Sequence, residues 1–310
     1  MVATRILDET KARPVPAAAG KPRELEDFLN FRIYHPLSRR LALLLVPTPV
    51  TPNMVSVLGA LLVVSAGFLY AGYVGLPAAV AIAIGFALHL LWHVVDGADG
   101  ALARLTGRAS PVGETIDGIC DYASHALLYV ILATAADDHV GWWIWPIGFA
   151  AGFSRVAQAN HAESQRRIYL WRAYGIPWLQ QARDSGDAVI EGRAAGGGVL
   201  SGLTRAYMWL ADRLSPPAPV LDRAAEEATR DPDLRARLTR LARACYRRPL
   251  YLQAWLGANP RTILLGLCII LGSPLWYFLV ELTLLNLLLV ASIVSQKKAN
   301  ACLEARLRVP

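Results

Sequence analysis

Apolar residues gather in long runs, at about 54–73 (MVSVLGALLVVSAGFLYAGY), 75–95 (GLPAAVAIAIGFALHLLWHVV), 118–136, 141–159, 261–273 and 275–296. A bilayer core takes roughly 20 apolar residues per helix. Four runs meet that length plainly, the third is interrupted by Asp121 and His125, and the fifth is short. The fifth and sixth read as a hairpin turning at Gly272-Ser273-Pro274. The pattern predicts an all-α integral membrane protein with six transmembrane helices and both termini on one side.

Ahead of the first run, residues 24–50 mix apolar residues with Arg32, Arg39 and Arg40, the pattern of an amphipathic helix lying in the membrane interface. Thr51-Pro52-Asn53 then reads as a helix start. Residues 1–23 carry no apolar h-region and read as a disordered lead rather than a signal peptide.

Composition agrees with this layout. The chain of 310 residues is 55% hydrophobic and 18% charged, against about 25% charged in ordinary soluble domains. The net charge of +7 is mostly arginine. No basic stripe is interleaved with aromatics, so nucleic acid is set aside and an anionic membrane surface is the expected partner. The 137–140 connection is acidic and the 272–274 turn uncharged, whereas residues 161–258 hold 15 Arg against 10 acids and the tail carries Lys297, Lys298, Arg306 and Arg308. Positive loops stay cytoplasmic. The termini and the 96–116 and 161–258 segments are therefore expected inside, in a multi-pass protein of the cell inner membrane. Trp142, Trp143, Trp145 and Trp276 read as an interfacial belt. Cys120, Cys245, Cys268 and Cys302 show no paired spacing and read as ordinary small apolar residues in a reducing compartment.

The chain divides into the lead (1–23), the interfacial helix (24–50), spans one to four (51–160), an insertion (161–258), and spans five and six with the tail (259–310). The insertion holds a flexible stretch at 192–202, a proline cluster at Pro216, Pro217 and Pro219, and a helix capped by Asp231 with Pro232 at its first position. Leu234, Leu238, Leu241 and Cys245 share one face of that helix, which predicts a surface helix on the membrane or on a sister chain. A homodimer stays open on that ground.

The chemistry lies in 96–121, DGADGALARLTGRASPVGETIDGICD. Asp96, Asp99, Gly100 and Ala103 fall at i, i+3, i+4 and i+7, and Gly113, Asp117 and Asp121 at i, i+4 and i+8, so each set shares one helix face. Two helices joined by a short loop can aim four carboxylates at one point. Left unpaired at membrane depth, each would cost at least a few kcal/mol. One or two divalent cations remove that cost, and oxygen-only ligands favour Mg²⁺ or Mn²⁺ over Zn²⁺. Such ions bind diphosphates and stabilise charge on a transferring phosphoryl group. Gly100, Ala103 and Gly113 leave bare helix surface for a flat group.

The spacing D-x-x-D-G-x-x-A-R-x8-G-x-x-x-D-x-x-x-D resembles the signature of the CDP-alcohol phosphotransferases, with every signature residue present. The resemblance covers about 30–160 and 259–300, and the insertion has no counterpart in it. It implies transfer of a phosphatidyl or related phospho-alcohol group from a CDP-linked donor, CDP-diacylglycerol first among them, to an alcohol with release of CMP. It further implies that Asp96, Asp99, Asp117 and Asp121 hold the metals and that Asp121 takes the acceptor proton. Gly100, Ala103, Arg104, Ser110 and Gly113 would contact the CDP portion. Residues Asn53, Met54, Val55 and Ser56, similar to the family's start of the first span, would line the nucleotide pocket.

For the acceptor, Arg155 at the end of span four could bind a phosphate, with Arg261 across from it. Asn160 and His161 stand where members with phosphorylated acceptors carry a basic pair. That points away from inositol phosphate and glycerol phosphate, and leaves a neutral polyol, an amino alcohol or a lipid hydroxyl open. His93, His125 and His161 share no spacing with the carboxylates and read as structural. Two other classes stay open beside the phosphotransferase: a prenyltransferase-like enzyme releasing pyrophosphate, and a non-catalytic carrier or ion pathway.

Overall fold

The computed structural model describes residues 22–176, 199–215 and 218–308, and these are helical throughout, with no strand among them. The helices are α1 (His35–Leu45), α2 (Pro52–Tyr70), α3 (Ala78–Leu105), α4 (Pro111–Val140), α5 (Ile144–Tyr174), α6 (Val199–Leu214), α7 (Pro219–Glu227), α8 (Pro232–Ala254), α9 (Ala258–Ile270), α10 (Pro274–Val280) and α11 (Asn286–Leu307). A π-helical turn, Asn30–Tyr34, leads into α1, and another, Glu281–Leu285, joins α10 to α11.

Among the described residues, four helical stretches are long and apolar enough to cross a membrane: Pro52–Tyr70, Ala78–Leu105, Val112–Val140 and Pro274–Leu307. The protein is therefore a multi-helix membrane protein. The expected fourth and fifth spans are both helical, as α5 and α9, but neither meets the length and apolarity of the other four. α9 has only 13 residues, and α5 becomes polar after residue 159 while continuing to Tyr174 without a break.

Local chemistry sets the helix ends. Thr51 caps α2 through its side chain, which accepts from the Met54 N–H at 3.3 Å. Ser110 caps α4 in the same way, accepting from Gly113 N–H at 3.1 Å, with Pro111 following at the first helical position. Each cap starts a helix that carries site residues within its first turns.

α1 lies against α3. Ser38 donates to the Val94 carbonyl at 2.8 Å, and Ala42 is buried with Val55, Val95, Ala98 and Leu102. Its outer side keeps Leu43 and Leu44 exposed, so the helix is apolar on a surface that faces no other described element. A central core joins α2, α3, α4, α5, α9 and α10 through Val63, Trp92, Leu132, Ile144, Leu265 and Phe278.

The insertion corrects one expectation. Asp231 caps α8 as its sequence indicates, accepting from Asp233 and Leu234 N–H at 2.9 and 3.0 Å. The apolar face of α8, however, is covered within the chain. Leu238 is buried, and Leu234, Leu241 and Cys245 pack with Tyr169 and Ala173 of α5, Leu221 of α7 and Leu303 of α11. Residue spacing identifies an apolar face but not what covers it. Arg172 fastens the same junction, donating to Asp222 at 2.9 Å and to Tyr246 at 2.8 Å, while Tyr246 donates to Asn300 at 2.7 Å. Burial pushes the Tyr246 hydroxyl above its usual range, which keeps it a neutral donor.

Two of the cysteines also depart from expectation. Cys245 of α8 and Cys302 of α11 form a disulfide with a Cα–Cα distance of 6.0 Å, whereas Cys120 and Cys268 are free. The partners are separated by 57 residues, so no local spacing announces the pair. The glycine stretch of 192–202 falls up to residue 198 outside the described residues, as do Pro216, Pro217 and the lead up to residue 21.

Candidate active site

The carboxylates come from the last turns of α3 and the first three turns of α4. Gly107, with φ at +66°, turns the chain between them in a conformation that L side chains rarely adopt. Asp96, Asp117 and Asp121 each offer an oxygen within 4.8 Å of the others. Asp99 stands beside this trio, next to Asp117 and 5% exposed. One of its oxygens accepts from Ser56 at 2.6 Å, and the other accepts from the Gly100 N–H. Trp92, one turn before Asp96, donates its indole N–H to Asp121 at 3.3 Å.

The donor set fits a divalent cation. Three converging carboxylates place like charges side by side, which water-poor surroundings tolerate only with a counter-charge. Among the described residues no lysine or arginine forms an ion pair with any of the four aspartates. A cation coordinated by carboxylate oxygens meets that need.

The remaining expected contacts divide. Gly100 lies under Arg104, whose guanidinium would sit 3.3 Å from a side chain added at that glycine. Gly113 faces Ser110 and Asn53, whose Oδ1 would lie 3.7 Å from an added Cβ. From α2, Ser56 thus turns to Asp99 and Asn53 to Gly113. Val55 is 2% exposed inside the α1–α3 packing, and Met54 is 57% exposed. Residues three apart share a helix face and their immediate neighbours do not, so the 53–56 set is only half on the site side. Ala103 lies one turn beyond Asp99 and is partly buried.

A cavity of about 2600 Å³ opens beside the cluster, lined by Asp96, Asp117, Asp121, Arg104, His93 and Arg155 among others. Arg155 and Arg261 do meet, but around a residue that the sequence reading passed over. Glu281 is completely buried and lies 4.0 Å from Arg155 and 3.4 Å from Arg261. It also accepts from Tyr277 at 2.7 Å and from Tyr129 at 3.1 Å. Arg261 is itself 2% exposed and spends further hydrogen bonds on Gln158 at 2.7 Å and the Leu256 carbonyl at 3.2 Å. Arg261 is held as an internal strut, and Arg155 presents the remaining positive charge to the cavity. A lone acid inside the 275–296 apolar run was the signal for Glu281, because intramembrane charge is costly without a role.

The three histidines read as structural are each hydrogen-bonded within the fold. His93 lies 3.0 Å from Thr262 Oγ1, His125 2.8 Å from the Asp121 carbonyl, and His161 3.0 Å from Ser292 Oγ. Trp142 and Trp143 stack at 4.0 Å in the α4–α5 connection and are exposed, as is Trp276.

Residues 49–170, the stretch that contains α2 to α4, most of α5 and all four aspartates, match the family model described as CDP-alcohol phosphatidyltransferase. This segment is similar to CDP-alcohol phosphatidyltransferase domains. A relative in Rubrobacter xylanophilus, named as a bifunctional IPC transferase and DIPP synthase, is 36% identical over 116 residues, 37% of this chain and 23% of that protein. The chain thus spans about a quarter of the length of the curated relative it matches. The insertion helices α6 to α8 and the α9–α11 end lie outside the matched segment.

Proposed function

We propose that the protein is a CDP-alcohol phosphotransferase that moves a phosphatidyl or related phospho-alcohol group from a CDP-linked lipid, CDP-diacylglycerol in the first place, to an acceptor hydroxyl, releasing CMP. The observation that carries this reading is the convergence of Asp96, Asp117 and Asp121, with Asp99 beside them, inside the matched domain. All four aspartates would hold one or two divalent ions. Mg²⁺ or Mn²⁺ bound there would offset the diphosphate charge and stabilise charge building on the transferred phosphoryl group.

The chain's own groups do the rest. Arg104, folded over Gly100, would steer the diphosphate, while Asn53 and Ser110, both beside Gly113, would bracket the cytidine end together with Ala103. Asp121 would accept the hydroxyl proton at a carboxylate oxygen, held in orientation by the Trp92 N–H. Positioning and charge stabilisation supply most of the rate in such a transfer.

In the membrane we place six spans, counting the apolar first part of α5 and the short α9, with α1 in the interface. The excess of arginine and lysine in the connections supports a layout with the termini, the insertion and the active site on the cytoplasmic side of the inner membrane.

Incubating purified protein with CDP-diacylglycerol, Mg²⁺ or Mn²⁺ and a panel of alcohols, then weighing the lipid product by mass spectrometry, tests the proposal. CMP and a new phosphodiester lipid are expected. Release of pyrophosphate from a prenyl donor, or no product from any CDP-activated lipid, overturns it.

A further inference from the structure

The insertion does more than pack. Its helix α8 sends Arg243, Arg247 and Arg248 to the same cavity that the aspartates line, and the polar end of α5 adds Arg166 and Arg167. Part of this charge is balanced: Arg166 and Arg167 both pair with Glu163 at 2.7 and 2.6 Å, and Arg243 pairs with Glu24 at 3.0 Å. Nearby Glu26 is spent on His35 at 3.1 Å, and Asp27 accepts from Asn259 at 2.9 Å. Arg247 and Arg248 are exposed to the cavity and form no ion pair among the described residues. Five guanidiniums against four carboxylates, Glu163, Glu24, Glu26 and Asp27, leave a small positive surplus on this wall, gathered at Arg247 and Arg248, while the aspartates make the other wall negative. One cavity thus has two ends of opposite polarity.

We infer that the wall formed by Arg166, Arg167, Arg247 and Arg248 binds a phosphate group. A planar fork of N–H donors suits phosphate oxygens, and an unpaired arginine facing a cavity is the form in which that fork is available. The phosphate belongs either to a soluble phosphorylated alcohol or to a phospholipid head group. In the first case this wall replaces the basic pair absent at Asn160 and His161, whose side chains are buried. That placement rests on the transferase reading; the binding itself does not.

The test uses the full chain in detergent, without donor or metal, following tryptophan fluorescence, since Trp255 lies in this cavity and is 46% exposed. Glycerol 3-phosphate should bind and glycerol should not. Arg247→Gln with Arg248→Gln should weaken that binding by about tenfold or more, the loss expected for charge-assisted hydrogen bonds. Arg247→Lys with Arg248→Lys, which keeps the charge, should restore part of it, and Arg240→Gln, on α8 but outside the cavity lining, should behave as the parent. A second arm places the protein in nanodiscs of phosphatidylcholine with or without phosphatidylglycerol. A phosphatidylglycerol-dependent change lost in the Gln pair, without glycerol 3-phosphate binding, assigns the wall to a head group. Equal behaviour of parent and Gln pair toward both probes, with matching thermal unfolding, overturns the inference. Because no transfer is measured, failure of the phosphotransferase reading would appear separately as absent CMP release.

Discussion

Ser56 on α2 reaches across to α3 and gives Asp99 a hydrogen bond of 2.6 Å. The contact fixes one carboxylate of the cluster from outside the two helices that carry the signature. Removing the hydroxyl leaves a 5%-exposed carboxylate oxygen with one donor fewer. Ser56→Ala should therefore cost roughly 1–3 kcal/mol of organisation at the site. The expected readout is a higher metal concentration for half-maximal CMP release, with secondary structure unchanged by circular dichroism.

Asp121→Asn removes both a charge and the proposed proton acceptor. Turnover should drop by about 10²–10⁴, the usual worth of a general base, while the helical circular dichroism signal persists. Trp92→Phe, which takes away only the indole donor at 3.3 Å, should lower turnover by no more than about tenfold. Chelation of divalent metal should abolish product in the parent and be reversed by adding Mg²⁺ or Mn²⁺. CMP release by Asp121→Asn at the parent rate would remove Asp121 from the role of base.

Glu281 is the shared counter-charge of Arg155 and Arg261. Glu281→Ala strands the buried Arg261 guanidinium and takes the counter-charge from the half-buried Arg155, and breaking a buried pair in this way costs about 3–5 kcal/mol. Thermal unfolding in detergent should fall by many degrees. Arg261→Ala should destabilise comparably, whereas Arg155→Ala, at the cavity edge, should mainly lower activity.

The Cys245–Cys302 bond closes a loop spanning 57 positions. Chain-entropy arithmetic for a loop of that length gives about 4 kcal/mol as an upper figure. A reducing agent should lower the unfolding midpoint of the parent toward that of Cys302→Ser, and should leave the variant itself unmoved. Equal midpoints for parent and variant without reductant would show that the bond contributes nothing.

The site was legible because its information is local. Asp96 and Asp99 on one helix, Asp117 and Asp121 on the next, need only the helical repeat and a short loop to meet. The same rule separates Asn53 and Ser56 from Met54 and Val55, a division visible once the helix start at Thr51 is fixed. What stayed hidden joins residues far apart in the chain. Gln158 meets Arg261, Arg155 meets Glu281, and Cys245 meets Cys302 across separations that no periodicity encodes. The face of α8 was readable as apolar, but its partners on α5, α7 and α11 depend on how those helices pack. The span count suffers from a related limit, because α5 is apolar for half its length and polar for the rest, and no break marks the change.

That continuity of α5 has a mechanical consequence. Its 31 residues form one rod, about 46 Å long at the ordinary rise, with Arg155 along its middle and Arg172 locked to the insertion near its end. Any tilt of the insertion must bend this rod or swing Arg155 with it. The extramembrane part thereby gains leverage over the wall facing the carboxylates.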